Sequence, residues 1–222
     1  MAQGEFSKTV SIPVEGAALE GELVVPQGCL GAVLFAHGSG SSRHSPRNQF
    51  VARTLQAQAV GTLLFDLLTQ NEEQQDEASG HLRFDIQLLA HRLGAATAWY
   101  HATAPGSPLG YFGSSTGGGA ALVAAARSSV PIAAVVSRGG RPDLAGPALT
   151  HVRSPTLLLV GSNDSAVIEL NRRASELMTC RRELRLIPGA THLFEEPGTL
   201  ELVARMAAAW FQEHFHHVVS RT

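Results

Sequence analysis

The chain has 222 residues, 44% of them hydrophobic, and carries 17 basic and 19 acidic side chains for a formal net charge of −2. This apolar content is enough to build a sizeable core, which argues against disorder, and the length predicts one domain over residues 1–222. A nearly balanced charge gives no electrostatic attraction to nucleic acid or to an anionic membrane surface, and therefore argues against both classes of partner.

Short apolar segments along the chain predict eight strands. KTVSIPVE and LEGELVVP flank Gly16 and predict an N-terminal antiparallel hairpin. Six later runs are almost continuously apolar, which is typical of strands that are buried on both faces of a parallel sheet. They are Ala32–His37, Val60–Asp66, Ser107–Gly113, Ile132–Ser137, Pro155–Gly161 and Glu183–Pro188.

Helical patterns alternate with these strands, at residues 47–59, 84–103, 115–129, 165–178 and 198–215. The alternation predicts a three-layer α/β sandwich with a mostly parallel sheet, in which ligands bind at the carboxyl ends of the strands. The polar and acidic segment Thr69–Gly80 predicts a solvated loop rather than part of a site.

The glycine-rich stretch YFGSSTGGGAAL follows a predicted strand and allows two interpretations. A phosphate-binding loop would need lysine where Gly119 stands, and a dinucleotide fingerprint starting at Gly117 would need glycine where Leu122 stands. The segment GSSTG instead fits the G-x-S-x-G pattern between a strand and a helix. We therefore predict that Ser115 is a nucleophile rather than part of a packing turn.

A serine nucleophile needs a base and an acid, which follow it along the chain in this architecture. His192, in the loop after the last predicted strand, is the predicted base. Asp164, after the seventh strand, is the predicted acid, and Asp143, beyond the sixth strand, is the alternative.

The loop HGSGSS faces the nucleophile turn and is expected to supply a second oxyanion donor. The predicted donors are the backbone N–H groups of Ser39 and Thr116, with Gly40 as an alternative to Ser39. His37, at the start of this loop, is expected to hold the loop by hydrogen bonds rather than to transfer protons.

Four arginines could approach the mouth of the site: Arg43, Arg47, Arg138 and Arg141. They either recognise an anionic group of the substrate or brace the loops by salt bridges with Asp143 or Glu195. The sequence leaves these two interpretations equally open.

Together these segments resemble the α/β-hydrolase superfamily, and more narrowly its dienelactone-hydrolase-like branch. The set FAHGSGSSRHSPRN, YFGSSTGGGAAL, VVSRGGRPDL, VGSNDSAVIELN and IPGATHLFEEPG is most similar to small hydrolase domains that some bacteria fuse to a phosphoribosyltransferase. The resemblance implies an α/β-hydrolase fold over nearly the whole chain. Dienelactone hydrolases use a cysteine nucleophile, whereas Ser115 stands at the matching position here, which favours an ordinary serine esterase mechanism.

We therefore expect a metal- and cofactor-independent hydrolase of small or short-chain carboxylic esters, which would be anionic if the arginines recognise the substrate. Lactone or thioester hydrolysis, acyl transfer and a non-catalytic binding domain are the alternatives. Only 17 residues separate the sixth and seventh strands, which leaves no room for a large lid domain. Cys29 and Cys180 lack the spacing of a metal site, and His214, His216 and His217 would need further ligands to form one. No leader or membrane span is visible, and the two cysteines are expected to be reduced, so we expect a cytoplasmic protein.

Overall fold

An eight-stranded sheet organises the chain. The computed structural model describes residues 6–219. The strands are β1 (Phe6–Val14), β2 (Ala17–Val25), β3 (Ala32–Ala36), β4 (Gly61–Phe65), β5 (Leu109–Ser114), β6 (Ile132–Arg138), β7 (Thr156–Gly161) and β8 (Arg182–Ile187). Their order is β1-β2-β4-β3-β5-β6-β7-β8. The pairs β1–β2 and β2–β4 are antiparallel, and every later pair in this order is parallel. The predicted hairpin and parallel sheet are thus confirmed.

Residues 6–219 contain six α-helices: α1 (Pro46–Gln56), α2 (Gln70–Ser79), α3 (Ile86–Thr103), α4 (Thr116–Arg127), α5 (Ser165–Leu177) and α6 (Thr199–Val219). Side chains of α3 and α4 pack into one apolar cluster on one face of the sheet, and those of α1 and α6 into a second cluster on the other face. This is the predicted three-layer sandwich. Between β6 and β7 the chain forms only 3₁₀-helical turns (Pro142–His151), in agreement with the absence of a large lid.

The prediction of a solvated loop over Thr69–Gly80 was wrong, because this segment forms α2. Thr69 caps the helix by accepting a hydrogen bond from the Glu72 N–H, and the Glu72 carboxylate accepts one from the Thr69 N–H. This reciprocal capping box satisfies two N–H groups at the start of the helix. Gly80 ends the helix at φ 63° in the left-handed region.

Ion pairs rather than apolar contacts hold α2 against the protein. Its one buried residue is Asp76, which pairs with Arg83 and accepts the Leu82 N–H. Glu72 pairs at 2.6 Å with Arg92 of α3, whose side chain is 8% exposed. The polar composition that suggested a solvated loop is therefore explained by the ion pairs that hold this helix in place.

Within residues 6–219, no helix combines the length and the apolar character that crossing a membrane would need.

Candidate active site

Ser115 lies at the sharp turn between the end of β5 and the start of α4. Its backbone adopts φ 50° and ψ −121°, which is an unfavourable conformation for a residue with a side chain. The turn closes tightly on both sides, because a Cβ atom at Gly113 would lie 2.5 Å from the Gly117 carbonyl oxygen, and one at Gly117 would lie 2.1 Å from the Ala36 carbonyl oxygen. The two glycines of the motif are therefore required by close backbone approach.

Asp164 and His192 come together from neighbouring loops. Asp164 follows β7 and precedes α5, whereas His192 lies in the loop after β8, and His192 Nδ1 is 2.7 Å from Asp164 Oδ2. The Asp164 side chain is 15% exposed and that of His192 is 40% exposed. Asp143, the alternative acid, instead accepts two hydrogen bonds from Arg141 at 2.8 and 2.7 Å.

The end of β6 and the residue that follows it lie between Ser115 and the histidine loop. The Ser115 N–H donates to the Arg138 carbonyl at 3.3 Å. A Cβ atom at the next residue, Gly139, would lie 3.2 Å from the His192 carbonyl oxygen and 3.7 Å from its Cε1. Ser115 and His192 therefore flank the same two residues at the carboxyl edge of the sheet.

The two residues that were predicted as oxyanion donors are in contact. The Ser39 N–H donates to the Thr116 hydroxyl at 2.9 Å, which links the loop after β3 to the first turn of α4. A Cβ atom at Gly38 would lie 3.1 Å from Ser115 Cβ, so this loop passes directly beside the serine. In this arrangement the Ser39 N–H is already occupied by a protein oxygen.

His37 fastens the same loop to the segment after β4. Its Nε2 accepts the Leu67 N–H at 3.1 Å, so the ring proton lies on Nδ1, which donates to the Gly38 carbonyl at 3.0 Å. Burial lowers the pKa of His37 despite the opposing effects of the Gly38 carbonyl and Asp66. The imidazole is therefore kept neutral, in the hydrogen-bonding role that was expected for it.

A cavity of about 540 Å³ lies next to the serine, between the loop after β3 and α2. The sequence did not point to its α2 side, which includes Glu73, Asp76 and Glu77. Ser115 and His192 are not among its lining residues, but Gly38, which packs against Ser115, is one of them. The sequence TQNE at Thr69–Glu72 fits the capping box at the start of a helix, and it could have predicted the helix that forms this wall.

The four arginines have different partners. Arg43 forms ion pairs with Asp66 and Glu20, and Arg141 pairs with Asp143. Both therefore have carboxylate partners within the protein, which matches the bracing interpretation, although the acids that hold Arg43 were not the ones considered.

Arg47 also pairs with one of the acids considered, which again matches the bracing interpretation, whereas Arg138 has no carboxylate partner among residues 6–219. Arg47 lines the cavity and pairs at 3.2 Å with Glu195, whose side chain is 65% exposed. Arg138 is only 8% exposed, and its guanidinium carbon lies 5.9 Å from the centre of the Phe194 ring. Its Nε and Nη1 have no hydrogen-bond partner within the described part of the chain.

Comparison with known proteins gives close relatives as well as more distant structural neighbours. No protein-family model matches the chain. The crystal structure of a dienelactone hydrolase from Anabaena variabilis is 54% identical in sequence, with a TM-score of 0.93 over 96% of this chain and 99% of that one. The esterase Est1E from Butyrivibrio proteoclasticus, at 18% identity and a TM-score of 0.78 over 94% of this chain and 99% of that one, shares the fold.

Two proteins of Mycobacterium tuberculosis, both provisionally named phosphoribosyl transferases, are 57% identical over 197 residues. The match covers 87% of this chain but only 43% of each relative, so the chain spans less than half the length of these curated relatives. With a solved relative more than half identical along its entire length, and with the sheet and helix layers described above, the chain belongs to the dienelactone-hydrolase-like branch of the α/β-hydrolases.

Proposed function

We propose that the protein is a serine hydrolase that cleaves small or short-chain carboxylic esters through an acyl-enzyme. Ser115 Oγ attacks the ester carbonyl carbon, His192 accepts the hydroxyl proton, and Asp164 orients the imidazole and stabilises the imidazolium. The observation that carries the proposal is the 2.7 Å contact between Asp164 and His192 at the sheet edge where Ser115 is held at φ 50°.

The reaction then proceeds in two halves. The protonated His192 gives its proton to the leaving alcohol as the carbon–oxygen bond breaks, which leaves the acyl group on Ser115. A water molecule, deprotonated by His192, attacks the acyl carbon, and the proton returns to Ser115 Oγ when the carboxylic acid leaves.

The N-terminus of α4 provides the environment for the oxyanion. The Thr116 N–H belongs to the first turn of this helix, where N–H groups lack partners within the helix and negative charge is favoured. The Ser39 N–H is the second proposed donor, and to act it must exchange the Thr116 hydroxyl for the substrate oxygen. A donor of this kind is worth about 3 kcal/mol of the barrier.

The surroundings of the serine favour small substrates. The 3₁₀-helical turns between β6 and β7 are too short to form the apolar cover of a lipase, and the adjacent cavity measures about 540 Å³. That volume lies within the range of sites for small molecules.

Lactones are a second substrate class for the same groups. The Anabaena relative is named a dienelactone hydrolase, and a lactone is an ester whose acid and alcohol parts are joined. The transferase name of the Mycobacterium relatives, by contrast, belongs to proteins of which this chain covers only 43%. We assign that name to the part of those proteins that lies outside the matched segment.

The test is hydrolysis of p-nitrophenyl acetate by the wild type and by Ser115→Ala, together with labelling by a fluorophosphonate, which bonds to an activated serine oxygen as fluoride leaves. We expect turnover and labelling in the wild type and background rates with no label in Ser115→Ala. Ser129→Ala, which alters an exposed serine two residues after α4, is the matched control and should behave as the wild type.

Two results would contradict the proposal. Undiminished turnover in Ser115→Ala would remove this serine from the mechanism. A folded wild-type protein that is neither labelled nor active on esters and lactones would favour the non-catalytic binding domain.

A further inference from the structure

Asn171 is an asparagine in the interior of α5 with an exposed fraction of 0%. Its side-chain Nδ2 donates to the Val167 carbonyl at 2.8 Å, one turn earlier in the helix, and to the Gly140 carbonyl at 3.0 Å. Its Oδ1 has no hydrogen-bond partner within residues 6–219. An unpaired amide oxygen inside a protein costs free energy that a leucine of similar size does not. The stability of α5 therefore gives no reason for an asparagine at this position.

The bond to Gly140 acts on the peptide group that Gly140 shares with Arg141. The carbonyl of this group accepts from Asn171, and its N–H donates to the Ser115 carbonyl at 3.0 Å. A peptide group is planar, and in the trans form its C=O and N–H point in opposite directions. Asn171 and Ser115 therefore hold opposite sides of one rigid unit, so that a rotation of this unit would break both hydrogen bonds at once.

Two glycines make this peptide group easy to rotate unless it is held. Gly139, at φ 51°, and Gly140 precede it, and glycine gives the backbone the widest choice of conformations. A Cβ atom at Gly140 would lie 1.9 Å from Ser137 Oγ, so no larger residue can stand there to stiffen the segment. A hydrogen bond from a neighbouring helix fixes the segment instead, and Asn171 supplies it.

The segment matters because it holds Ser115 in a strained conformation. Ser115 lies at φ 50° and ψ −121°, its N–H donates to the Arg138 carbonyl, and its carbonyl accepts from the N–H groups of Gly118 and Arg141. Strain of this kind persists only where the surroundings fix the residue from several sides. The Arg141 N–H is one of these contacts, and it is the one that Asn171 controls.

The helix that carries Asn171 also positions the proposed acid. Asp164 immediately precedes α5, and its carbonyl accepts the Ile168 N–H at 2.9 Å in the first helical turn. Asn171 lies about two turns further along the same helix. One rigid element therefore fixes both the backbone of Asp164 and the peptide group that contacts Ser115.

We propose that Asn171 is a positioning residue for the nucleophile, which holds the Gly140–Arg141 peptide group against the Ser115 carbonyl and so keeps Ser115 in its strained conformation. The inference rests on the proposed function and adds to it a residue that touches neither the substrate nor the reacting atoms. This role explains why α5 tolerates an unpaired Oδ1, since the amide is needed for its donor.

Asn171→Leu removes the donor at nearly the same size. We expect kcat on p-nitrophenyl acetate to fall about ten- to a hundredfold while KM stays within about twofold, because a misplaced Ser115 attacks poorly although the substrate still binds. The rate of fluorophosphonate labelling should fall by a similar factor, since the same oxygen attacks. Asn171→Ser, which is smaller and whose hydroxyl can donate only to its own helix, should lose kcat in the same way and replaces the leucine variant if that one does not fold.

A comparison of melting temperatures tests the role without relying on catalysis. In the wild-type background, Ser115→Gly should raise Tm by about 2–4 °C, because glycine relieves the strain. In the Asn171→Leu background the gain should be less than about half as large, because Ser115 can already relax there. A purely structural asparagine would change Tm by itself but would leave the gain from Ser115→Gly unchanged.

Asn48→Leu is the matched control. Asn48 is the other buried asparagine within residues 6–219, and its Oδ1 is likewise without a partner there, but no hydrogen bond joins its side chain to the turn at Ser115. This variant should keep the kcat of the wild type and should leave the gain from Ser115→Gly at its full size.

The outcomes separate this inference from the proposed function. An unchanged kcat in folded Asn171→Leu or Asn171→Ser, or an equal gain from Ser115→Gly in both backgrounds, refutes the role of Asn171 while esterase activity stands. A wild type that hydrolyses no ester refutes the proposed function instead, and the melting temperatures then still decide whether Asn171 holds Ser115 in place.

Discussion

The imidazole Nδ1 of His192 lies 2.7 Å from the Asp164 carboxylate, a contact that joins the loops after β7 and β8. We expect Asp164→Asn to lower kcat on p-nitrophenyl acetate by about 10³- to 10⁴-fold, because the amide stabilises the wrong tautomer and cannot stabilise the imidazolium. Steady-state kinetics checks this prediction, with circular dichroism to show that the variant is folded.

Asp143→Asn is the control for that change. Asp143 is the other acid at this edge of the sheet, but it is held by two hydrogen bonds from Arg141. It should retain kcat within about threefold, as a change at a surface ion pair does. A larger loss in Asp143→Asn than in Asp164→Asn would exchange the roles of the two acids.

The backbone of Ser115 gives a prediction about stability. At φ 50° and ψ −121° a residue with a Cβ atom is strained, and glycine is not. The free energy of unfolding of Ser115→Gly should therefore be about 1 kcal/mol higher than that of the wild type, which corresponds to a gain of about 2–4 °C in Tm for a protein of this size. The variant should nevertheless be inactive. Ser115→Ala keeps the Cβ atom and should show no such gain; equal Tm values for the two variants would argue against strain at this residue.

His37 should make the stability depend on pH. The pKa of the folded His37 lies below the unfolded value of 6.5, because burial outweighs the Gly38 carbonyl and Asp66. The unfolded chain therefore binds this proton more readily, so the contribution is complete above about pH 6.5 and is lost as the pH falls below that value. Urea unfolding should show that the wild type loses more free energy of unfolding between pH 8 and pH 5 than His37→Gln does. The amide oxygen of this variant can still accept the Leu67 N–H.

His101→Gln, at an exposed position in the last turn of α3, is the control for that experiment and should keep the pH dependence of the wild type. If His37→Gln and the wild type lose the same free energy of unfolding between the two pH values, the titration of His37 does not contribute.

Much of the fold was predictable because the buried strands are short and apolar, and because Gly113 and Gly117 stand where two backbone segments approach each other closely. The partnership of Asp164 with His192 followed from their positions after neighbouring strands. α2 was missed because hydrophobic periodicity identifies helices that bury an apolar face, and this helix buries Asp76.

The arginines show another limit of the sequence. Arg43 and Arg47 follow β3 along the chain, Arg138 and Arg141 lie at or just after the end of β6, and the sequence analysis considered Asp143 and Glu195 as their partners. The sequence could not show that Arg43 reaches back to Glu20 on the hairpin, or that Arg138 turns into the protein and meets no carboxylate among the described residues. Those facts depend on the tertiary arrangement of strands that are distant along the chain.

Because α2 is held by ion pairs, the wall that it forms can vary independently of the apolar core. One wall of the cavity comes from a ten-residue helix that adds no side chain to the apolar clusters on either face of the sheet. Substitutions along its exposed surface can therefore change the width and charge of the approach to Ser115 without repacking those clusters. The groups proposed to make and break bonds lie on the other strand-end loops, so substrate range and reaction chemistry are open to independent change.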